Sequence, residues 1–141
     1  MHFQLITLHG VGIDAEIYEL IAPTESGDIA VFPGHEPLVT IAAPGALAVR
    51  YNKNDNDSKL DYFAISGGVI EVNQTSVQVL VDEADYGDDI VEAESKAALD
   101  RAIKMRDEAK DKFDLEKARQ LINRHTVRLR VAELHSRRRH H

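Results

Sequence analysis

The side chains of this chain that could do chemistry are carboxylates, guanidinium groups and imidazoles: 24 acidic residues, 17 basic ones and 7 histidines, with no cysteine. Thiolate zinc sites, thiol nucleophiles and disulfide frameworks are therefore excluded. The histidines form no H-E-x-x-H or comparable ligand pattern, and His125 lies in an apolar helical stripe, where packing or a hydrogen bond is its expected role. No G-x-x-x-x-G-K-[ST] loop, G-x-S-x-G elbow or G-x-G-x-x-G turn occurs. Ser66-Gly67-Gly68 stands between two β runs and opens no helix, so it lacks the free amides and dipole that hold phosphate and reads as a bend between strands. The acidic run 52–58 could imitate a calcium loop, but Phe63 stands where the bidentate glutamate of an EF-hand frame belongs. A carbohydrate platform would need exposed aromatic rings, and the chain has no Trp and only 4 Phe and 4 Tyr. The residues point to no catalytic centre, no metal site and no cofactor.

What they do point to is docking. In residues 24–38, Gly27 can take a positive φ at a turn, Ile29 to Phe32 read as a short strand, and Pro33 and Pro37 bracket a loop whose tip is Gly34, His35 and Glu36. Two prolines four residues apart reduce the entropy this loop would lose on meeting a partner. Charge is also unevenly placed. Residues 1–81 hold 3 basic and 10 acidic side chains, residues 82–113 hold 6 and 11, and residues 114–141 hold 8 and 3. The C-terminal segment should therefore face an acidic partner, either another protein or the acidic part of its own chain.

The elements that must position these groups follow from hydrophobic period. Up to about Asp82 the pattern is period two, with Phe3 and Leu5, then Leu47, Val49 and Tyr51, then Val77, Val79 and Val81. Turn signals recur at short intervals, which fits antiparallel strands folded into a sandwich. Gly87 marks a boundary, and Asp89 with Glu92 has the form of a capping box opening a helix that runs to about Lys112. Its apolar stripe is Ile90, Ala97, Ala98, Ala102, Met105 and Ala109. Phe113-Asp114 reads as a turn, with Asp114 capping a second helix whose face is Leu115, Ala118, Leu121, Ile122, His125, Leu129 and Ala132. The expected fold is α+β: an antiparallel β-sandwich over 1–86 and a two-helix antiparallel hairpin over 87–141. An alanine methyl contributes about 0.8 kcal/mol on burial against roughly 1.5–3 for a leucine, so the hairpin should attach weakly enough to be reversible. No 20-residue apolar run and no signal-peptide pattern is present, and the protein is expected to remain in the cytosol.

The strand with Phe32-Pro33-Gly34-His35-Glu36-Pro37-Leu38, then Ser66-Gly67-Gly68-Val69-Ile70-Glu71-Val72, then an alanine-rich helical tail with 127–134 near its end, resembles the bacterial-type epsilon subunit of the F-type rotary ATP synthase almost end to end. The resemblance implies a noncatalytic central-stalk subunit that couples proton flow to ATP synthesis and restrains ATP hydrolysis. It implies a sandwich bound to the gamma subunit and resting on the c-subunit ring, on the cytoplasmic face of the plasma membrane. By position Asp28, His35 and Glu36 then become the c-ring and gamma contacts, with Asp28 in place of the more usual glutamate. The helical hairpin of the family lies against the sandwich or extends between gamma and the catalytic alpha and beta subunits. Arg119, Arg124, Arg128 and Arg130 are the implied contacts to an acidic beta-subunit motif, a role that suits their planar donors. Some members bind ATP in the folded hairpin through an Ile/Leu-Asp-x-x-Arg-Ala motif. Here Ile90 is kept, but Val91, Glu94 and Ser95 replace the aspartate, arginine and alanine. Ile90, Arg101, Arg124 and Arg128 remain as a weak ATP-binding set, and nucleotide binding is expected to be absent or millimolar.

Overall fold

A computed structural model describes residues 1–139, with side chains described through residue 137. Ten strands precede two helices: β1 (His2–Thr7), β2 (Gly10–Glu16), β3 (Glu19–Thr24), β4 (Gly27–Val31), β5 (Leu38–Ala42), β6 (Gly45–Arg50), β7 (Asp61–Ile65), β8 (Gly68–Val72), β9 (Ser76–Val81), β10 (Ala84–Tyr86), α1 (Glu92–Glu108) and α2 (Lys112–Arg139). Hydrogen bonding runs in the order β10-β7-β6-β3-β5-β8-β9-β1-β2, with β4 on β3. The join between β3 and β5 is the single pair Thr24 and Ala42, so the sheet folds there into two layers. One pair departs from the antiparallel expectation, since β1 runs parallel to β9.

The alternating residues of the strands fill the space between the layers. Phe3, Leu20, Leu47, Val49, Ile70, Val77 and Val79 are all fully buried in one cluster. Gly68 is required by a close approach, because a Cβ there would lie 1.9 Å from the Leu80 carbonyl oxygen on β9. Positive φ occurs at Gly10, Gly27 and Gly34, and Gly27 starts β4 after the Thr24 turn. The 52–58 loop is pinned by Arg50, whose guanidinium meets Glu19 at 2.9 Å, Asp57 at 2.7 Å and the Asp55 carbonyl at 2.7 Å. Its pKa is raised further by the Asp57 and Glu19 hydrogen bonds.

The helical boundaries differ from the sequence expectation. Asp89 ends a short 3-10 turn, Ile90 and Val91 stay extended, and α1 begins at Glu92 without a side-chain cap. The cause is Ile90, which is drawn into a cluster with Ala64, Val131 and Ala132 and holds the chain extended. α1 stops at Glu108, and Asp111 rather than Asp114 caps α2, its Oδ1 accepting the Asp114 amide at 2.8 Å. On α1 the buried residues are Ser95 and Ala102, while Ala97 and Met105 face solvent.

α2 has two working faces. Ala118 is fully buried, and Leu115, Ile122, His125 and Leu129 continue its stripe along the side against which α1 packs. Roughly a third of a turn round the helix, Val127, Val131 and Ala132 pack on the outer face of β6 and β7. That outer face is made of Ala46, Ala64 and Tyr62, small enough at two of three positions for the helix backbone to come close. Gly87 serves the same approach, since a Cβ there would sit 3.3 Å from both His135 and Val131 side chains.

Candidate functional site

Two surfaces are built for contact. The first is the outer face of the layer that carries no helix. There the register sets Ile41 opposite Val69, Val69 opposite Leu80, Leu80 opposite Ile6, and Ile6 opposite Val11. One apolar row thus crosses five strands at right angles. Ile41 is 60% exposed, Val11 58%, Val69 38% and Leu80 37%, and the nearby Leu8 in the β1–β2 turn is 78% exposed. Apolar residues scattered singly on a surface are ordinary, but a continuous row marks a contact site. The next row holds Val39, Glu71, Gln78, Gln4 and Asp14, and part of it is knit together: Gln78 Nε2 donates to Gln4 Oε1 at 2.7 Å, and Gln4 Nε2 donates to Asp14 Oδ2 at 3.2 Å. That row rims the patch with polar groups on β8, β9, β1 and β2, while Val39, 71% exposed, extends the apolar surface on β5.

The second surface is the seam between α2 and the acidic edge strand β10. Arg128 Nη1 meets Asp85 Oδ2 at 2.6 Å, Arg124 Nε meets Glu83 Oε2 at 3.1 Å, and His135 Nε2 meets Asp88 Oδ1 at 2.9 Å. His135 is also edge-on to Tyr86, with ring centroids 6.1 Å apart. These contacts bring together the basic C-terminal segment and the acidic middle of the same chain. Beside them opens a cleft of about 510 Å³ between Ala64 and Ile65 on one wall and Gln120, Leu121 and Asn123 on the other.

The sequence-derived residues fall into separate groups. Asp28 is exposed near the start of β4, whereas His35 and Glu36 lie in the loop beyond its end, so roughly 10 Å of strand separates Asp28 from that loop. The loop is fixed rather than free. Gly34 donates its amide to the Gln74 carbonyl at 2.8 Å, and His35 Nδ1 lies 2.7 Å from the Glu36 carbonyl oxygen. Arg119 and Arg130 are exposed on the solvent side of α2, while Arg124 and Arg128 are engaged by Glu83 and Asp85. Ile90 is buried under α2 and does not line the cleft, and Arg101 on α1 does not line it either. The His125 imidazole is held below its ordinary pKa by burial and then by the charges of Arg124, Arg128 and Arg101. His140 and His141 lie outside the described residues. Sequence reasoning missed the apolar row and the contact of His135 with Asp88. The signal for the first was present in Ile6, Val69 and Leu80, apolar residues at positions of the strand alternation that face outward.

No helix among the described residues is long and apolar enough to cross a membrane. Residues 1–87 match the family model for the ATP synthase delta/epsilon chain β-sandwich domain. The ATP synthase epsilon chain of Herpetosiphon aurantiacus is 34% identical over 95% of this chain and 95% of its own length. That of Laribacter hongkongensis is 32% identical over 99% of this chain and 98% of its own. Among solved structures, a chain of the Euglena gracilis mitochondrial ATP synthase assembly of OSCP, F1 and c-ring is similar with a TM-score of 0.78 and 25% identity. The likeness covers 94% of this chain and 80% of that one. A chain of the Tetrahymena thermophila mitochondrial ATP synthase central stalk and c-ring shares the fold, at TM-score 0.58 and 17% identity, over 97% of this chain and 94% of that one.

Proposed function

The chain belongs to the epsilon-chain family of the ATP synthase, and from that premise we propose that it is a noncatalytic rotor subunit in two working parts. Residues 1–86 dock to the central stalk and residues 87–141 restrain ATP hydrolysis. The apolar row from Ile41 to Val11 carries the docking half of this reading, because five strands present it to solvent with nothing among the described residues over it. The gamma subunit is its partner. Asp28, His35 and Glu36, exposed or half-buried around β4 and the following loop, meet the polar loops of the c-subunit ring. Membrane attachment is then indirect, through that ring, at the cytoplasmic face of the plasma membrane.

The braking half is supported by the arginines of α2. Arg130 is exposed and Arg119 holds only an exposed contact to Glu116 at 3.4 Å, so both can meet an acidic motif of the beta subunit readily, whereas Arg124 and Arg128 reach it only after leaving Glu83 and Asp85. The folded hairpin is the resting form in this reading, and extension toward the alpha and beta subunits exchanges internal carboxylates for external ones. Such an exchange costs little net energy, which suits a reversible brake.

A second reading, nucleotide binding in the folded hairpin, is favoured by the charges of Arg124, Arg128 and Arg101 acting together around His125. It is opposed by Glu94 and by the carboxylates already holding two of those arginines. Titrating the isolated protein with ATP separates the two, since a sensor must saturate. The docking reading is tested by Leu80→Lys, which puts a charge in the middle of the apolar row. Copurification with gamma should be lost while the thermal unfolding midpoint stays within a few degrees of the parent. Retained copurification would move the gamma site elsewhere.

A further inference from the structure

The seam between α1 and α2 contains a titratable group that neither docking nor braking uses. His125 has its Nδ1 buried and without a hydrogen-bond partner. Three guanidinium groups act on the ring, Arg124 and Arg128 from α2 itself and Arg101 from α1. The sandwich contributes Glu83 and Asp85, but their oxygens hold Arg124 at 3.1 Å and Arg128 at 2.6 Å rather than the imidazole. Among the described residues the histidine–carboxylate pairs are those of His2 and His135, and His125 has none. A proton on this ring would enter a half-buried helix seam beside three like charges, two of them already held by Glu83 and Asp85, with no carboxylate of its own among the described residues.

We propose that the α1–α2 seam is an acid-sensitive joint, closed around neutral His125 and parted when the ring is protonated, so that α1 is released while α2 stays on the sandwich. Two features make the release one-sided. α1 packs principally against α2, so parting that seam frees α1 and little else. α2 keeps its own hold through Val127, Val131 and Ala132 and through the contacts of Arg124 with Glu83 and Arg128 with Asp85. His135, the other histidine of α2 among the described residues, faces the sandwich and lies 2.9 Å from Asp88, away from this seam. The pH window follows from the direction of the His125 shift. Because the closed seam disfavours the imidazolium, the open form takes up the proton first. The seam keeps its full stability above the ordinary histidine value of about 6.5 and loses it progressively as pH falls toward the depressed value of the closed form. The joint rests on the geometry of the hairpin and holds whichever surfaces the chain docks to.

The test uses the full chain in a buffer free of phosphate, since the arginine cluster would itself attract that anion. Histidine titrations by NMR between pH 8 and pH 5 are combined with amide exchange, corrected for intrinsic rates. His125 should titrate below the ordinary histidine value of about 6.5, and α1 amides should exchange several-fold faster in acid while those of α2 around Val131 do not. Arg101→Gln should move the His125 titration upward, and His125→Gln should remove the acid effect on α1. If His125→Gln fails to form the hairpin, the Arg101→Gln titration still decides. A His125 that titrates at or above the ordinary histidine value, an Arg101→Gln variant that leaves the His125 titration in place, or an acid release of α1 that persists in His125→Gln, overturns the proposal.

Discussion

Replacing Arg128 by Gln should loosen the docked hairpin far more than replacing Arg124 by Gln, although both arginines meet a carboxylate of the same acidic edge. The side chains of Arg128 and Asp85 are 22% and 33% exposed and meet at 2.6 Å, whereas those of Arg124 and Glu83 are 44% and 48% exposed and meet at 3.1 Å. A charge-assisted hydrogen bond is worth about 1.5–3 kcal/mol when shielded, and partial exposure of this pair brings that to roughly 1–2 kcal/mol. The more open pair falls in the range of about 0.2–1 kcal/mol measured for surface ion pairs. Because about 1.4 kcal/mol is a factor of ten, Arg128→Gln should raise the opening constant of α2 roughly tenfold and Arg124→Gln only two- to threefold. Amide exchange around Val127 and Val131, under conditions where reclosing is fast, reads that constant directly. Asp85→Asn should reproduce most of the Arg128 effect, and the double variant should add little. Equal effects of the two arginines, or fully additive effects of Arg128→Gln and Asp85→Asn, would refute the reasoning.

Other substitutions test the fold that holds these groups. Gly68→Ala should lower stability by about 3 kcal/mol or more, or roughly 10 °C in thermal midpoint, because its Cβ would sit 1.9 Å from the Leu80 oxygen. Asp111→Ala should cost about 1 kcal/mol and fray the first turn of α2, visible in the chemical shifts of residues 112–115. Arg50→Met should speed cleavage by a lysine-specific protease at Lys53 and Lys59, because the 52–58 loop loses its tether to Glu19, Asp57 and the Asp55 carbonyl.

The strands were readable because each buries alternate side chains between two layers, so Phe3 and Leu5, or Val77, Val79 and Val81, reveal both the element and its inward face. Alternation does not encode the direction of a neighbour, which is why the parallel pairing of β1 with β9 was not legible. The start of α1 was misread because Asp89 and Glu92 have the letters of a capping box, while the tertiary contact of Ile90 with Val131 and Ala132 overrides that local preference. α2 was read as having one apolar stripe. Its second face, Val127, Val131 and His135 at spacings of four, is apolar only in part and meets a surface made small by Ala46 and Ala64. The arginine-rich segment was legible as a charge imbalance, and the sequence left open whether its partner was external or internal. In the folded hairpin Glu83 and Asp85 supply an internal partner for two of the four arginines singled out.

The central claim is that the hairpin brakes hydrolysis while the sandwich docks. The measurement that tests it most directly is ATP hydrolysis by the cognate alpha-beta-gamma complex, with the full chain added and with a version ending at Gly87 that keeps all ten strands. The account expects both to bind the complex and only the full chain to slow hydrolysis, with Arg119→Ala and Arg130→Ala in the full chain weakening that effect. Binding of both with no inhibition by either would contradict it, leaving a coupling element whose basic helix has only its own chain as partner.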